Sequence, residues 1–159
     1  RIWYQLIMFG LFKSKPEPSI FSQEELARLK AAIQAAEQFT SGEIRLVVER
    51  RTNGYDVLDR AAMVFKRLKM HETAERNAVL IYMAYGERLF AILGDKGIHE
   101  KVTQDFWNQL KHTMHGQFSQ GKLCDGLCEA ILTCGQSLQA HFPHQSDDKN
   151  ELSDDVVML

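Results

Sequence analysis

From residue 43 to residue 98 the chain changes hydrophobic period three times. Ile44, Leu46 and Val48 alternate with Arg45, Val47 and Glu49, a period of two that predicts a strand with one half-buried face. Residues 78–84, AVLIYMA, are apolar throughout, which predicts a central strand covered on both faces. RLFAIL, residues 88–93, follows the short turn Tyr85, Gly86, Glu87 and should pair antiparallel with it. Between the first two strands Leu58, Ala61, Phe65 and Leu68 recur at helical spacing behind Asp56, a suitable N-cap. A strand, helix, strand connection of this kind is normally parallel and right-handed.

The flanks read as helices. Ser22 and Glu25 have the spacing of a capping box, and Leu26, Leu29, Ile33 and Ala36 carry the stripe to about Phe39, where Thr40, Ser41 and Gly42 turn the chain. After the hairpin, residues 97–102 predict a short helix. Thr103 is placed to cap a longer one bearing Trp107, Leu110 and Met114, broken at 117–121. Leu123, Leu127, Ile131, Cys134 and Leu138 define the last helix, which Pro143 closes. The fold class that results is α/β: a three-layer α/β/α sandwich with a small mixed β-sheet flanked by helices. Its domain should run over residues 20–144, with an apolar segment and a linker containing Pro16 and Pro18 before it (1–19) and an acidic tail after it (145–159).

Length and composition agree with one core: 159 residues, 45% apolar and 25% charged. A net charge of -2, with no Lys/Arg cluster interleaved with aromatics, disfavours nucleic acid as a partner. Cys124, Cys128 and Cys134 cannot all pair within one chain, which suggests a reducing, cytoplasmic setting. With His112 and His115 the first two can be imagined as a metal site, but they lack a tight C-x-x-C knuckle, and core packing is the plainer reading. RIWYQLIMFGLF is too short to span a bilayer and is interrupted by Gly10, so it gives no firm membrane segment. It reads as a signal-anchor remnant, an interfacial anchor, or residues upstream of a start at Met8. The last is preferred, with disorder or a partner contact as its structural consequence. The tail sets five acids against Lys149, then ends in Val156, Val157, Met158 and Leu159. Acidic tails are usually solvated and disordered, but those four residues can dock as an edge strand or a groove peptide.

Topology gathers the polar strand ends. The starts of two parallel strands lie at the same edge as the end of a strand antiparallel to them. Ser41, Gly42 and Glu43, Arg76 and Asn77, and Gly94, Asp95 and Lys96 should therefore be neighbours. Such residues also solvate strand ends and cap turns in any fold.

TSGEIRLVV, ERNAVLIYMA, GERLFAILGDKGI with a helix running to FW, and the closing HFP…NELSDDVV together resemble the TPM domain family over about residues 20–157. The resemblance implies an α/β/α sandwich around a small mixed sheet. It also implies acid phosphatase activity, as in a plant member, or calcium binding, as in bacterial ones. Many relatives carry a signal peptide and a C-terminal membrane helix, and this sequence shows neither convincingly.

Three chemistries suit the edge. Glu43 and Asp95 can supply hard oxygen ligands and Asn77 an amide carbonyl for Ca²⁺ or Mg²⁺. Calcium takes about six to eight oxygens, so Asn150, Glu151, Asp154 or Asp155 of the tail, or water, would have to help. A phosphomonoester hydrolase would use Asp95 as nucleophile or metal ligand and Arg76 and Lys96 as phosphate contacts. Against that reading, Asp95 has no D-x-D partner, and Arg76 can equally form an ion pair with Glu43 or Asp95. The third is a binding module that recognises another protein through the sheet edge or the tail.

Overall fold

The computed structural model describes residues 4–9, as backbone, and 20–159. Its five strands are β1 (Tyr4–Phe9), β2 (Glu43–Glu49), β3 (Ala78–Ala84), β4 (Leu89–Gly94) and β5 (Val157–Met158). The helices are α1 (Gln23–Ala36), α2 (Val57–Arg67), α3 (Lys96–His99), α4 (Gln104–Phe118) and α5 (Leu123–Leu138). The sheet order is β1-β4-β3-β2-β5. β2 and β3 are parallel, joined through α2, and β3 and β4 form the antiparallel hairpin.

The strand period sorts side chains onto two faces. Ile44, Leu46, Val48, Val79, Ile81, Met83, Phe90 and Ile92 meet α1, α4 and α5 in one core. Val47, Ala78, Leu80, Tyr82, Ala91 and Leu93 meet α2 in the other. The result is the α/β/α sandwich that the pattern implied. β2 departs from expectation by being buried on both faces, Val47 at 0% and Glu49 at 6% exposure. The α2 helix covers the side that the alternation had left half open.

Local signals explain most boundaries. Ser22 Oγ accepts from Glu25 N–H and Glu25 Oε1 from Ser22 N–H, each at 3.0 Å, closing the capping box of α1. Asp56 Oδ1 accepts from Leu58 N–H at 2.9 Å and starts α2. Thr103 stands at the start of α4, but its side chain makes no cap hydrogen bond, so position alone had overstated its part. Burial pushes the thiols of Cys124 and Cys134 up to about 12, as expected of free cysteines serving as small hydrophobes.

Both ends of the sheet are closed by segments from the chain's extremes. Residues 4–9, expected to be disordered or to contact a partner, instead pair antiparallel with β4 from Tyr4↔Gly94 to Phe9↔Leu89. The open edge of β4 presents unpaired N–H and C=O groups, a template on which the six-residue run YQLIMF pairs. The proline-containing linker, 13–19, lies outside the described residues. At the other edge Val157 and Met158 run parallel to β2 opposite Val47 and Val48, so the tail docks as an edge strand rather than staying disordered. No helix among the described residues is long and apolar enough to cross a membrane.

Candidate functional site

At the starting end of β2 and β3 the expected polar residues separate into two groups. Arg76, Asp95 and Lys96 form the first. Asp95 is buried at 1% exposure and caps α3 by accepting from Lys96 N–H at 2.7 Å. Arg76 holds it through two bonds, Nε to Oδ2 at 2.7 Å and an Nη to Oδ1 at 2.9 Å. The Arg76 backbone is left-handed, φ 52°, which a non-glycine residue adopts at some cost. Gly97 fits beneath because a Cβ there would collide with the carbonyls of Glu75 and Arg76. Both carboxylate oxygens of Asp95 are thus engaged, while Lys96 is exposed.

The second group gathers around Glu43 and the tail. Glu43 is 2% exposed, and its Oε1 accepts from Glu151 N–H at 2.8 Å. Its Oε2 is buried with no hydrogen-bond partner. Asn77, 1% exposed, stands beside it on β3's approach, donating from Nδ2 to Ser41 Oγ at 3.3 Å, while its N–H donates to Thr73 Oγ1 at 3.2 Å. Glu151 turns its own carboxylate away, to Ala74 N–H at 2.9 Å.

Next to Glu43 opens a cavity of about 500 Å³ lined by Glu37, Thr40, Glu43, His144, Asp148 and Asp154, with Asn150 and Lys149 at its wall. Neither Asn77 nor Asp95 lines it. Glu37 Oε2 accepts from Ile44 N–H at 2.9 Å, and its carboxyl is in hydrogen-bond reach of Asp154. Burial, then the charges of Glu43 and Asp154, push Glu37 up to about 9 against the pull of the Ile44 N–H. Glu43 is pushed up to about 7 by burial first and by Glu151 and Asp154 after it, opposed by backbone N–H groups of the tail. Burial among other carboxyls thus favours the protonated form of both groups.

Sequence reasoning reached Glu43, Asn150 and Asp154 but missed Glu37, Asp148 and His144. Glu37 had left a signal. It lies four residues after Ile33, on the apolar stripe of α1, where a carboxylate is out of place without a purpose. Among the described residues no three or more His, Cys, Asp or Glu side chains are grouped so as to hold a metal ion, and that covers the pocket carboxyls as well as Cys124, Cys128, His112 and His115.

This sandwich, with its acid-lined pocket at the β2 edge, can be set beside known proteins. The TPM domain matches residues 16–137, well over half of the sequence. The chain belongs to the TPM domain family. An NMR structure of the BA42 protein from the psychrophilic bacterium Bizionia argentinensis is 40% identical to this TPM domain, with a TM-score of 0.84, covering 89% of this chain and 97% of that one. The N-terminal domain of the cg2496 protein from Corynebacterium glutamicum shares the fold at 16% identity and a TM-score of 0.60, over 74% of each chain. No curated protein matches.

Proposed function

We propose that this TPM domain is a divalent-cation-binding and protein-interaction module, with calcium as the ion and the Glu37, Glu43 and Asp154 pocket as its site. One observation carries the reading: a buried carboxylate oxygen, Glu43 Oε2, has no hydrogen-bond partner beside a cavity that other carboxyls line. A buried polar atom without a partner costs about 1–3 kcal/mol, more if charged, unless something outside the chain satisfies it. Carboxylates, the Asn150 amide, backbone carbonyls and water are hard oxygen donors, which suit Ca²⁺ or Mg²⁺ rather than zinc or copper. Calcium tolerates the irregular geometry of a pocket with one wall made by a tail, whereas magnesium demands a near-ideal octahedron.

The hydrolase reading is weaker on the same geometry. It asks Asp95 to act as nucleophile or ligand while both its oxygens accept bonds from Arg76 and from Lys96 N–H. Opening that pair would leave a buried carboxylate uncompensated.

Calcium titration monitored by thermal unfolding tests the proposal. At about 100 times its Kd, calcium should raise Tm by roughly 5–10 °C, and Glu43→Gln and Glu37→Gln should each lose most of the rise. An unchanged wild-type Tm overturns it.

A further inference from the structure

Beyond the two Glu151 bonds, to Glu43 and to Ala74, the outer edge of β2 is held by its own tail through few main-chain contacts. β5 is two residues long, Val157 opposite Val47 and Met158 opposite Val48, and one further bond runs from Leu159 N–H to Val48 O at 2.9 Å. The Asp155 to Lys30 ion pair beside it, 2.8 Å, joins side chains 69% and 47% exposed, a setting in which such a pair contributes little. Met158 and Leu159 remain 41% and 47% exposed. The side chains alternate as strand addition requires: Val156 packs on one core, Leu152 and Val157 on the other. The edge also offers more than the tail takes. Arg45, on β2, keeps a buried Nε without a hydrogen-bond partner, while the charges of Asp154 and Asp155 act on it.

We infer that the β2 edge is a docking site for an extended segment of a partner protein carrying an acidic pair followed by apolar β-branched residues, and that residues 151–159 fill it in cis. The inference deepens the interaction half of the reading above and rests on it. Main-chain bonds to Val47 and Val48 supply register-specific affinity, the two core flanks accept alternate apolar side chains, and Lys30 and Arg45 select the acids. An unpaired edge of this kind would otherwise invite unspecific pairing, and a tethered short strand guards it while staying displaceable.

The full chain and a synthetic peptide of residues 151–159, ELSDDVVML, provide the test. In the Asp155→Lys/Leu159→Pro variant the tail loses the Lys30 contact and the Leu159 donor. Hydrogen exchange at 156–158 should accelerate, and the labelled peptide should bind at least ten-fold more tightly than to wild type. Adding Lys30→Ala should reduce that gain. Equal peptide affinity for wild type and the tail-released variant overturns the inference, as does a tail that stays protected despite both changes. Concentration-dependent dimerisation that exhausts peptide binding reassigns the edge to a second copy and overturns the partner assignment. Calcium separates the two readings. A calcium-dependent Tm rise without peptide binding overturns the docking site alone, and peptide binding without a calcium response overturns the cation site alone.

Discussion

Glu43 opens β2 and Glu49 closes it, and the two buried carboxylates have opposite fates. Glu49 is fully satisfied. Its Oε1 accepts from an Arg60 Nη at 2.6 Å and from Asn53 Nδ2 at 3.1 Å, and its Oε2 from Arg60 Nε at 2.9 Å and Tyr82 OH at 2.6 Å. Burial alone would raise its carboxyl, but the bonds from Arg60 and Tyr82 and the guanidinium charge outweigh burial and hold it below the ordinary glutamate value. Glu43 has one backbone N–H, that of Glu151, on Oε1, carboxyl neighbours around it, and no hydrogen-bond partner on Oε2. The same residue type in the same strand is thus fully bonded at one end and keeps an unbonded buried oxygen at the other. The proposed cation would satisfy that oxygen.

The sharpest way to break this contrast is to make Glu49 resemble Glu43. Arg60→Leu removes the cation bonded to a carboxylate whose side chain is 8% exposed. It should cost about 3–5 kcal/mol, the usual result of stranding one partner of a buried pair. An unfolding free energy in urea lowered by less than ~1 kcal/mol would show that Glu49 protonates or hydrates as readily as Glu43, and the contrast would dissolve.

The sandwich was legible because period carries it. The strands of 43–49, 78–84 and 89–94 and their pairing follow from alternation, an apolar run and a short turn. The edge was legible in part, since topology alone brought Glu43, Asn77 and Asp95 to one end. Side-chain partnering was not. Whether Arg76 takes Glu43 or Asp95 depends on a left-handed turn that no periodicity encodes. The tail's docking as an edge strand was legible as one alternative in the apolar residues 156–159, but not which strand it joins, because two strand residues are too few to show a period and the preceding acids mimic a solvated terminus. Glu49 read as a solvent-facing residue until α2, carrying Arg60, was laid over it.

A smaller effect sharpens the Glu49 end. Tyr82→Phe removes one donor from Oε2 and leaves Arg60 in place. The buried carboxylate keeps its cation, so the cost should be about 1–2 kcal/mol in urea unfolding. The wild-type phenol is itself pushed up well above the ordinary tyrosine value by burial first and by Glu49 after it, so it stays a donor throughout the accessible pH range. A loss as large as that of Arg60→Leu would make Tyr82, rather than the guanidinium, the group on which buried Glu49 depends.

The smallest effect is the one that reads the Glu43 end directly, as a slope in pH. Glu43 and Glu37 hold protons in the folded state up to about 7 and about 9, against 4.5 as the ordinary value. Between about pH 5 and 9 the folded protein therefore binds more protons than the unfolded chain, and stability must fall as pH rises through that window. Glu49 has the opposite sign, since its carboxyl lies below 4.5 and its contribution disappears only as pH falls further into acid. Cation-free protein should accordingly be more stable at pH 5.5 than at pH 8.5. Glu43→Gln, which retains an oxygen for the Glu151 N–H and cannot ionise, should flatten the slope and gain up to about 1 kcal/mol at pH 8.5. Saturating calcium should flatten it as well, because a cation replaces the proton as the group that satisfies the carboxyls. Unfolding free energies at the two pH values, with chelator and with calcium, decide the matter. A stability that rises from pH 5.5 to 8.5 without calcium would mean that Glu43 is as well compensated as Glu49.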